Sequence, residues 1–532
     1  MKKISILFFS SFLLTTTCFA QMGFTNGMKK VLTTMNIIDQ MYVDKVDGDK
    51  LADDAVKALI GELDPHSAYL SKQEVKEMNE PLEGNFTGIG ISFNMLTDTL
   101  YVIETIAGGP SAKVGLMAGD RIIMVNDSLI AGVKMPTKTI MSKLRGPKGT
   151  VVDVKVLRRG VPELLEFKIV RDKIPIYSLD AAYMVSPTTG YIKLSRFGAT
   201  TFEEFKEATV KLRAQGMKNL ILDLQSNGGG YLSAASELAN EFLPADRTIV
   251  YTQGAKKPKF IEKSKGNGSF QSGRVVVLVD EGTASASEIL SGALQDWDRG
   301  VIVGRRTFGK GLVQQQIPLP DESMIRLTIA HYYTPTGRSI QKPYTKGDRS
   351  SYDKDLITRF NSGEMMNADS IHFPDSLKYK TLVTGRIVYG GGGIMPDYYV
   401  PVDTTRSTNL HRDLFARGII NQLAFKLADE GRANLLKQYP KEADFIHNFR
   451  MTPEMYDQLK KMAVAEKITF DEKQFAVSRD FISMQVKALM GRDLYEQATF
   501  YKIYNNENDI FKKGLEVIEN PTKYQLLLNG KK

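Results

Sequence analysis

Apolar residues return at spacings of three and four from residue 23 to about residue 80, with Val31, Met35, Ile38 and Met41 on one face. That period predicts helices. A second helix is expected over residues 51–63 and a third from Ser71, where Ser71 and Glu74 have capping-box spacing. The turn Leu63-Asp64-Pro65-His66-Ser67 separates the two. From Gly84 to about Arg171 short strands and glycine turns take over. Residues 89–93 and 100–103 predict a hairpin, 121–125, 151–157 and 164–170 further strands, and 137–144 a helix. Residues 190–342 alternate strands (191–194, 220–224, 274–279, 301–303) with helices (201–215, 232–242, 286–295). Such an order predicts a mostly parallel sheet covered by helices, with ligands at the carboxyl ends of its strands. Residues 346–376 are polar and irregular, as an insertion would be, and after Thr405 the pattern is helical and charged.

Composition narrows the classes. A chain of 532 residues suggests three or four domains. With 42% hydrophobic and 25% charged residues, a long disordered tail is excluded. The net charge of +9 is not gathered into a basic stripe, which argues against nucleic acid as a partner. Lys2 and Lys3, the apolar run 4–14 and the small-residue end Cys18-Phe19-Ala20 read as a signal peptide cleaved after Ala20. Its removal lowers the charge to +7 and takes away the only cysteine. The mature chain is then expected in the periplasm, or secreted.

Three loops at strand ends carry candidate chemistry. Asp223-Leu224-Gln225-Ser226-Asn227-Gly228-Gly229-Gly230 can converge bare backbone N–H groups, as an oxyanion needs. Asp280-Glu281-Gly282-Thr283-Ala284-Ser285-Ala286-Ser287-Glu288 places serines at a positive helix end, where Ser285 or Ser287 equally fits a helix cap. Gly304 to Gly311 nearly spells a phosphate loop, but Gly311 stands where a magnesium-binding hydroxyl is required, so Lys310 fits better as an activator of a serine. Gln314, four residues on, can orient its amine. Among His66, His331, His372, His411 and His447, only His331 falls in a regular element of the α/β section, and it reads as a core or rim residue. His66 is expected to make local bonds within its turn. No HExxH or Cys/His cluster occurs, so no metal and no cofactor is implied.

Together the motifs TASASE around Ser285, TFGKG around Lys310, Gln314 and the NGGG loop resemble the C-terminal processing (tail-specific) serine peptidases. The likeness extends to LDPHSAYLS (63–71), TGIGISF (87–93), GPSAKVGLMAGDRIIMVN (109–126), LRGPKGT (144–150) and YYTPTGRSIQ (332–341), the third and fourth of these similar to a PDZ domain. It covers roughly residues 30–400; Gln225 departs from it, standing where the family often carries arginine.

The resemblance implies a multidomain α+β protein. Residues 21–82 would be a helical region, 83–172 a PDZ-like β domain, 173–404 a Ser-Lys protease core of α/β type and 405–532 a helical region outside the common family core. It also implies Ser285 as nucleophile, Lys310 as general base and Gln314 as its orienter, with oxyanion donors from Gly228 or Gly229 and from Ala286. Acting near neutrality, the lysine needs its pKa lowered by about three units from ~10.4. Phe308, Leu312 and Val313 would supply an apolar setting, with Arg305 and Arg306 adding repulsion. Backbone at Gly88, Ile89, Gly90 and Ile91 would hold a substrate's terminal carboxylate, and Arg145 would either couple that site to catalysis or simply be a solvated helix-end arginine interacting with the dipole. Partners are then protein or peptide substrates with accessible apolar C-termini; the likeness leaves room for self-association through the helical regions and for an adaptor. The competing reading is a PDZ scaffold on an inactive protease fold.

Overall fold

The computed structural model describes residues 25–96 and 98–531. The signal-peptide expectation for residues 1–20 lies outside them.

Helices Asn26–Met41, Gly48–Gly61 and Lys72–Glu83 open the chain. The last starts on the expected capping box, with the Ser71 N–H donating to Glu74 Oε2 at 2.8 Å and the Glu74 N–H to Ser71 Oγ at 3.4 Å. The turn before it is held less locally than its sequence suggests. Strand Ala68–Leu70 pairs with Met324–Tyr333, which binds this turn to a second, antiparallel sheet of the core.

Residues 85–175 leave and return through one ladder, Asn85–Gly88 against Asp172–Pro175. Between these strands lies a six-stranded antiparallel sheet with helix Thr137–Leu144 on it. Leu100, Val102, Ile122, Val152, Val154, Val156 and Ile169 alternate inward and are buried, the period of two that half-buried strands require. Strand Ile91–Leu96 is an edge of this sheet.

The main sheet runs Leu179–Met184, Thr189–Leu194, Asn219–Asp223, Val275–Val279, Val301–Gly304, Tyr398–Tyr399, parallel except for its first pair. A parallel sheet must be covered on both faces. Val275, Val277 and Val279 face helices Thr201–Ala214, Leu232–Asn240 and Ala286–Asp296. Val276 and Leu278 face Phe511, Val517 and Ile518 from the chain's last helices, Asp509–Glu519 and Pro521–Leu528. The helical end of the chain therefore splits in two: 409–504 form their own core around Leu423, Phe445, Leu459, Ile482 and Val486, while 509–528 close the main sheet. Residues 346–376 hold two short helices, Arg349–Asp353 and Asp355–Asn361, where an irregular segment was expected.

Candidate active site

Three loops from neighbouring parallel strands meet at a cleft of about 820 Å³, lined by Gly228, Gly229, Ser285, Ala286, Lys310 and Gln314 among others. Ser285 precedes helix Ala286–Asp296 with φ 58° and ψ −116°, a strained backbone for a residue with a side chain. It is half-buried, whereas Ser287 is fully buried and its hydroxyl donates to the Asn227 carbonyl at 3.0 Å. Of the two serines, the structure brings only Ser285 to the cleft.

Lys310 sits in the turn Gly309-Lys310-Gly311. Its Nζ donates to Gln314 Oε1 at 3.1 Å, and Gln314 Nε2 donates to the His66 carbonyl at 2.7 Å. Burial first, and the Arg326 charge second, lower the amine to about 8. Arg305 and Arg306 are not the source of that repulsion, because their charges are spent on Glu281 (2.7 Å) and Glu364 (2.6 Å). Leu312 and Val313 line the cleft, but Phe308 does not; its ring lies 4.0 Å from Lys342 Nζ and packs edge-on to Tyr352.

Two residues unrecognised in the sequence tie the serine and lysine loops together. Glu288 is fully buried and accepts from the N–H groups of Ser285 (2.8 Å), Gly309 (2.8 Å) and Lys310 (2.9 Å) and from Thr307 Oγ1 (2.5 Å). Burial pushes its carboxyl up to about 7 against those four bonds, which favour the ionised form. Tyr332 donates to the Lys310 carbonyl at 2.6 Å and lies 3.0 Å from that of Ser285. Glu288 stood three residues after Ser285 in the motif, a spacing that signals a helix-start acceptor.

The glycine loop corrects one expectation. The Gly229 N–H is engaged by Asn227 Oδ1 at 2.9 Å, so it is not a free oxyanion donor. The N–H groups of Gly228 and Ala286 have no partner among the described residues. Gly229 matters by its size: at φ +95°, a Cβ there would lie 2.8 Å from Ser285 Cβ. Gln225 does not leave the loop unsupported, since its N–H donates to Asp223 Oδ1 at 2.8 Å and its carbonyl accepts from Lys193 Nζ.

His66 also differs from its expected local role. Its Nε2 and the Tyr352 hydroxyl are 2.8 Å apart, a contact between residues 286 positions apart in the chain. Burial and the Lys310 charge hold the imidazole down at about 3, hence neutral. His331 does not line the cleft. Among the described residues no group of three or more His, Cys, Asp or Glu side chains could hold a metal ion.

A second cavity, about 250 Å³, lies between strand Ile91–Leu96 and helix Thr137–Leu144. Ile89, Gly90, Ile91, Phe86, Leu144 and Arg145 line it; Gly88 does not, and pairs instead with Asp172. Gly90 has φ +73°, and a Cβ there would come 2.8 Å from Ile174 Cδ1. Arg145 stacks over Phe86 at 4.7 Å and bonds Glu80 Oε2 at 2.6 Å. Glu80 belongs to helix Lys72–Glu83, whose Met78, Pro81 and Leu82 line the larger cleft.

Several known families and proteins are similar to this chain. The profile of peptidase family S41 matches residues 188–350, that of the PDZ domain 87–169, and that of the activating protease CtpB N-terminal domain 15–74. Residues 410–496 match a family of unknown function. A carboxy-terminal-processing protease of Bartonella bacilliformis is 37% identical over 305 residues, 56% of this chain and 69% of that protein. Carboxy-terminal processing protease CtpB of Bacillus subtilis is 34% identical over 321 residues, 59% of this chain and 66% of that one. The match thus spans about two thirds of either relative. Among solved structures, a photosystem II D1 C-terminal processing protease is 29% identical, covering 60% of this chain and 91% of that one at a TM-score of 0.34.

Proposed function

We propose, for a chain that belongs to the carboxy-terminal-processing serine peptidases, that Ser285 and Lys310 form a catalytic dyad cleaving proteins held by their C-terminal tails. The observation that carries this reading is the lysine. Its amine is buried, lowered to about 8, held by Gln314, and lines the same cleft as a strained serine. At pH 7 roughly a tenth of such amines are neutral, against about one in 2,500 at the solvated value of ~10.4.

The neutral amine takes the Ser285 hydroxyl proton as Oγ attacks the scissile carbonyl. The oxyanion that forms is received by the N–H groups of Gly228 and Ala286. The lysine ammonium then gives its proton to the departing amine, which leaves an ester on Ser285. Water, deprotonated by the same lysine, hydrolyses that ester and restores both residues. Lys310 bonds Gln314 before substrate arrives, and the serine contact is made as the cleft fills.

The 250 Å³ cavity suits the tail: apolar walls take the last side chain, and the backbone at Ile89, Gly90 and Ile91 takes the carboxylate. A peptide ending in a free apolar carboxylate should be cut roughly tenfold faster, in kcat/KM, than its amidated twin, because one charge-assisted hydrogen bond is worth about 1.5–3 kcal/mol. Equal rates would defeat tail recognition. The segment 1–20 supports export to the cell envelope; the exported chain should begin at Gln21 on N-terminal sequencing, and an intact start would refute cleavage.

A further inference from the structure

Strand Ile91–Leu96 has one open edge, and a tail added there must alternate its side chains between two faces. Ile91 and Phe93 turn toward the domain core, while Ser92 and Asn94 turn to the opposite face. That opposite face is covered by the C-terminal helices. Phe425 of helix Ile419–Gln438 meets Tyr101 edge-on at 5.3 Å, and Asp429 pairs with Arg121 (3.8 Å) and Arg159 (3.4 Å). Arg159 also donates to the carbonyls of Asp429 and Glu430 at 3.3 and 3.1 Å.

Between strand and helices lies a polar cavity of about 350 Å³. Ser92, Asn94 and Glu104 line it from the sheet, and Asn421, Arg492 and Gln497 from the helices. It adjoins the tail cavity, since Ser92 and Phe93 line both. Arg492 bonds Asp493 through Nε at 2.8 Å, and its two Nη atoms have no hydrogen-bond partner among the described residues. A bidentate donor is thus presented beside the open strand edge.

We propose that this cavity takes the second- and fourth-from-last side chains of a bound tail, and that Arg492 selects a carboxylate there. The inference rests on the reading that the apolar cavity holds the tail's end. With the last side chain in that cavity, the second- and fourth-from-last necessarily face Ser92, Asn94 and the helices. The C-terminal helical region thereby becomes half of the recognition site. Glu104, across the ladder from Ser92, opposes a carboxylate in the same cavity, so the attraction must come from the two unpartnered Nη atoms of Arg492.

The test uses the full chain carrying Ser285→Ala and fluorescent ten-residue peptides with one apolar last residue. Glu, Ala or Lys occupies the second- and fourth-from-last positions in turn, and the Glu peptide is also made as its amide. The Glu peptide should bind about fivefold more tightly than the Ala peptide, the upper range for a partly exposed ion pair. That ratio should shrink as salt rises, and Arg492→Gln should bring it near one. If the amide binds as well as the acid, the tail reading itself falls. If the acid is preferred but Glu and Ala bind alike, or Lys binds best, the cavity proposal falls and tail reading stands. Should Arg492→Gln fail to fold, a Glu-over-Ala ratio that salt leaves unchanged overturns the proposal by itself.

Discussion

For Lys310 to act as a base, its surroundings must keep a proton off it. Burial and Arg326 bring the amine to about 8, so kcat/KM on a short peptide should climb with pH and half-saturate near 8. A profile already flat at pH 6 would mean that another group accepts the serine proton. His66 contributes no limb near 6.5, being neutral down to about 3. Ser285, Lys310 and Gln314 stand out in the sequence because each sits in a short motif at a strand end. Their tuning does not. Arg326 comes from the antiparallel sheet and the His66 carbonyl from the N-terminal turn, 248 residues from the glutamine it holds, and no local spacing encodes such approaches. The sequence could not choose between Gly228 and Gly229 for a related reason: nothing in NGGG says that the asparagine will fold onto the second glycine.

At the scale of elements, the helix behind the serine and the loop bearing the lysine are bolted together by one carboxylate. Glu288→Ala would strand three backbone N–H groups and a hydroxyl in a buried site. It should lower stability by roughly 3 kcal/mol and, by loosening the loops, reduce kcat about a hundredfold or more. Thermal melting and peptide kinetics on the same preparation check both, and a variant active at the parent rate would show that the loops hold without it. The parallel order of the main sheet was legible from its buried runs, Val275–Val279 above all. The helices that cover its other face were not, because Lys512, Lys513 and Lys523 give them the look of ordinary solvated helices. The clue lay in Gly514, where a Cβ would come 2.5 Å from Leu278 Cδ2.

Across the molecule, the 250 Å³ cavity and the cleft are joined by a short physical chain: Arg145, its ion pair to Glu80, and the helix whose Met78, Pro81 and Leu82 line the cleft. Arg145→Ala should slow even short peptides that bypass the 250 Å³ cavity, by about tenfold in kcat, with some fall in melting temperature because Glu80 is buried and loses its 2.6 Å partner. Full activity in that variant would remove the coupling and leave tail binding intact. The dyad itself is reached by one comparison of kcat/KM on a quenched peptide for the parent chain, Ser285→Ala, Lys310→Ala and the double variant. Residues of one catalytic unit are not additive, so each single change should abolish hydrolysis to the same residual level and the double should fall no further. Substantial activity left in Lys310→Ala, or losses that multiply in the double variant, would contradict the dyad.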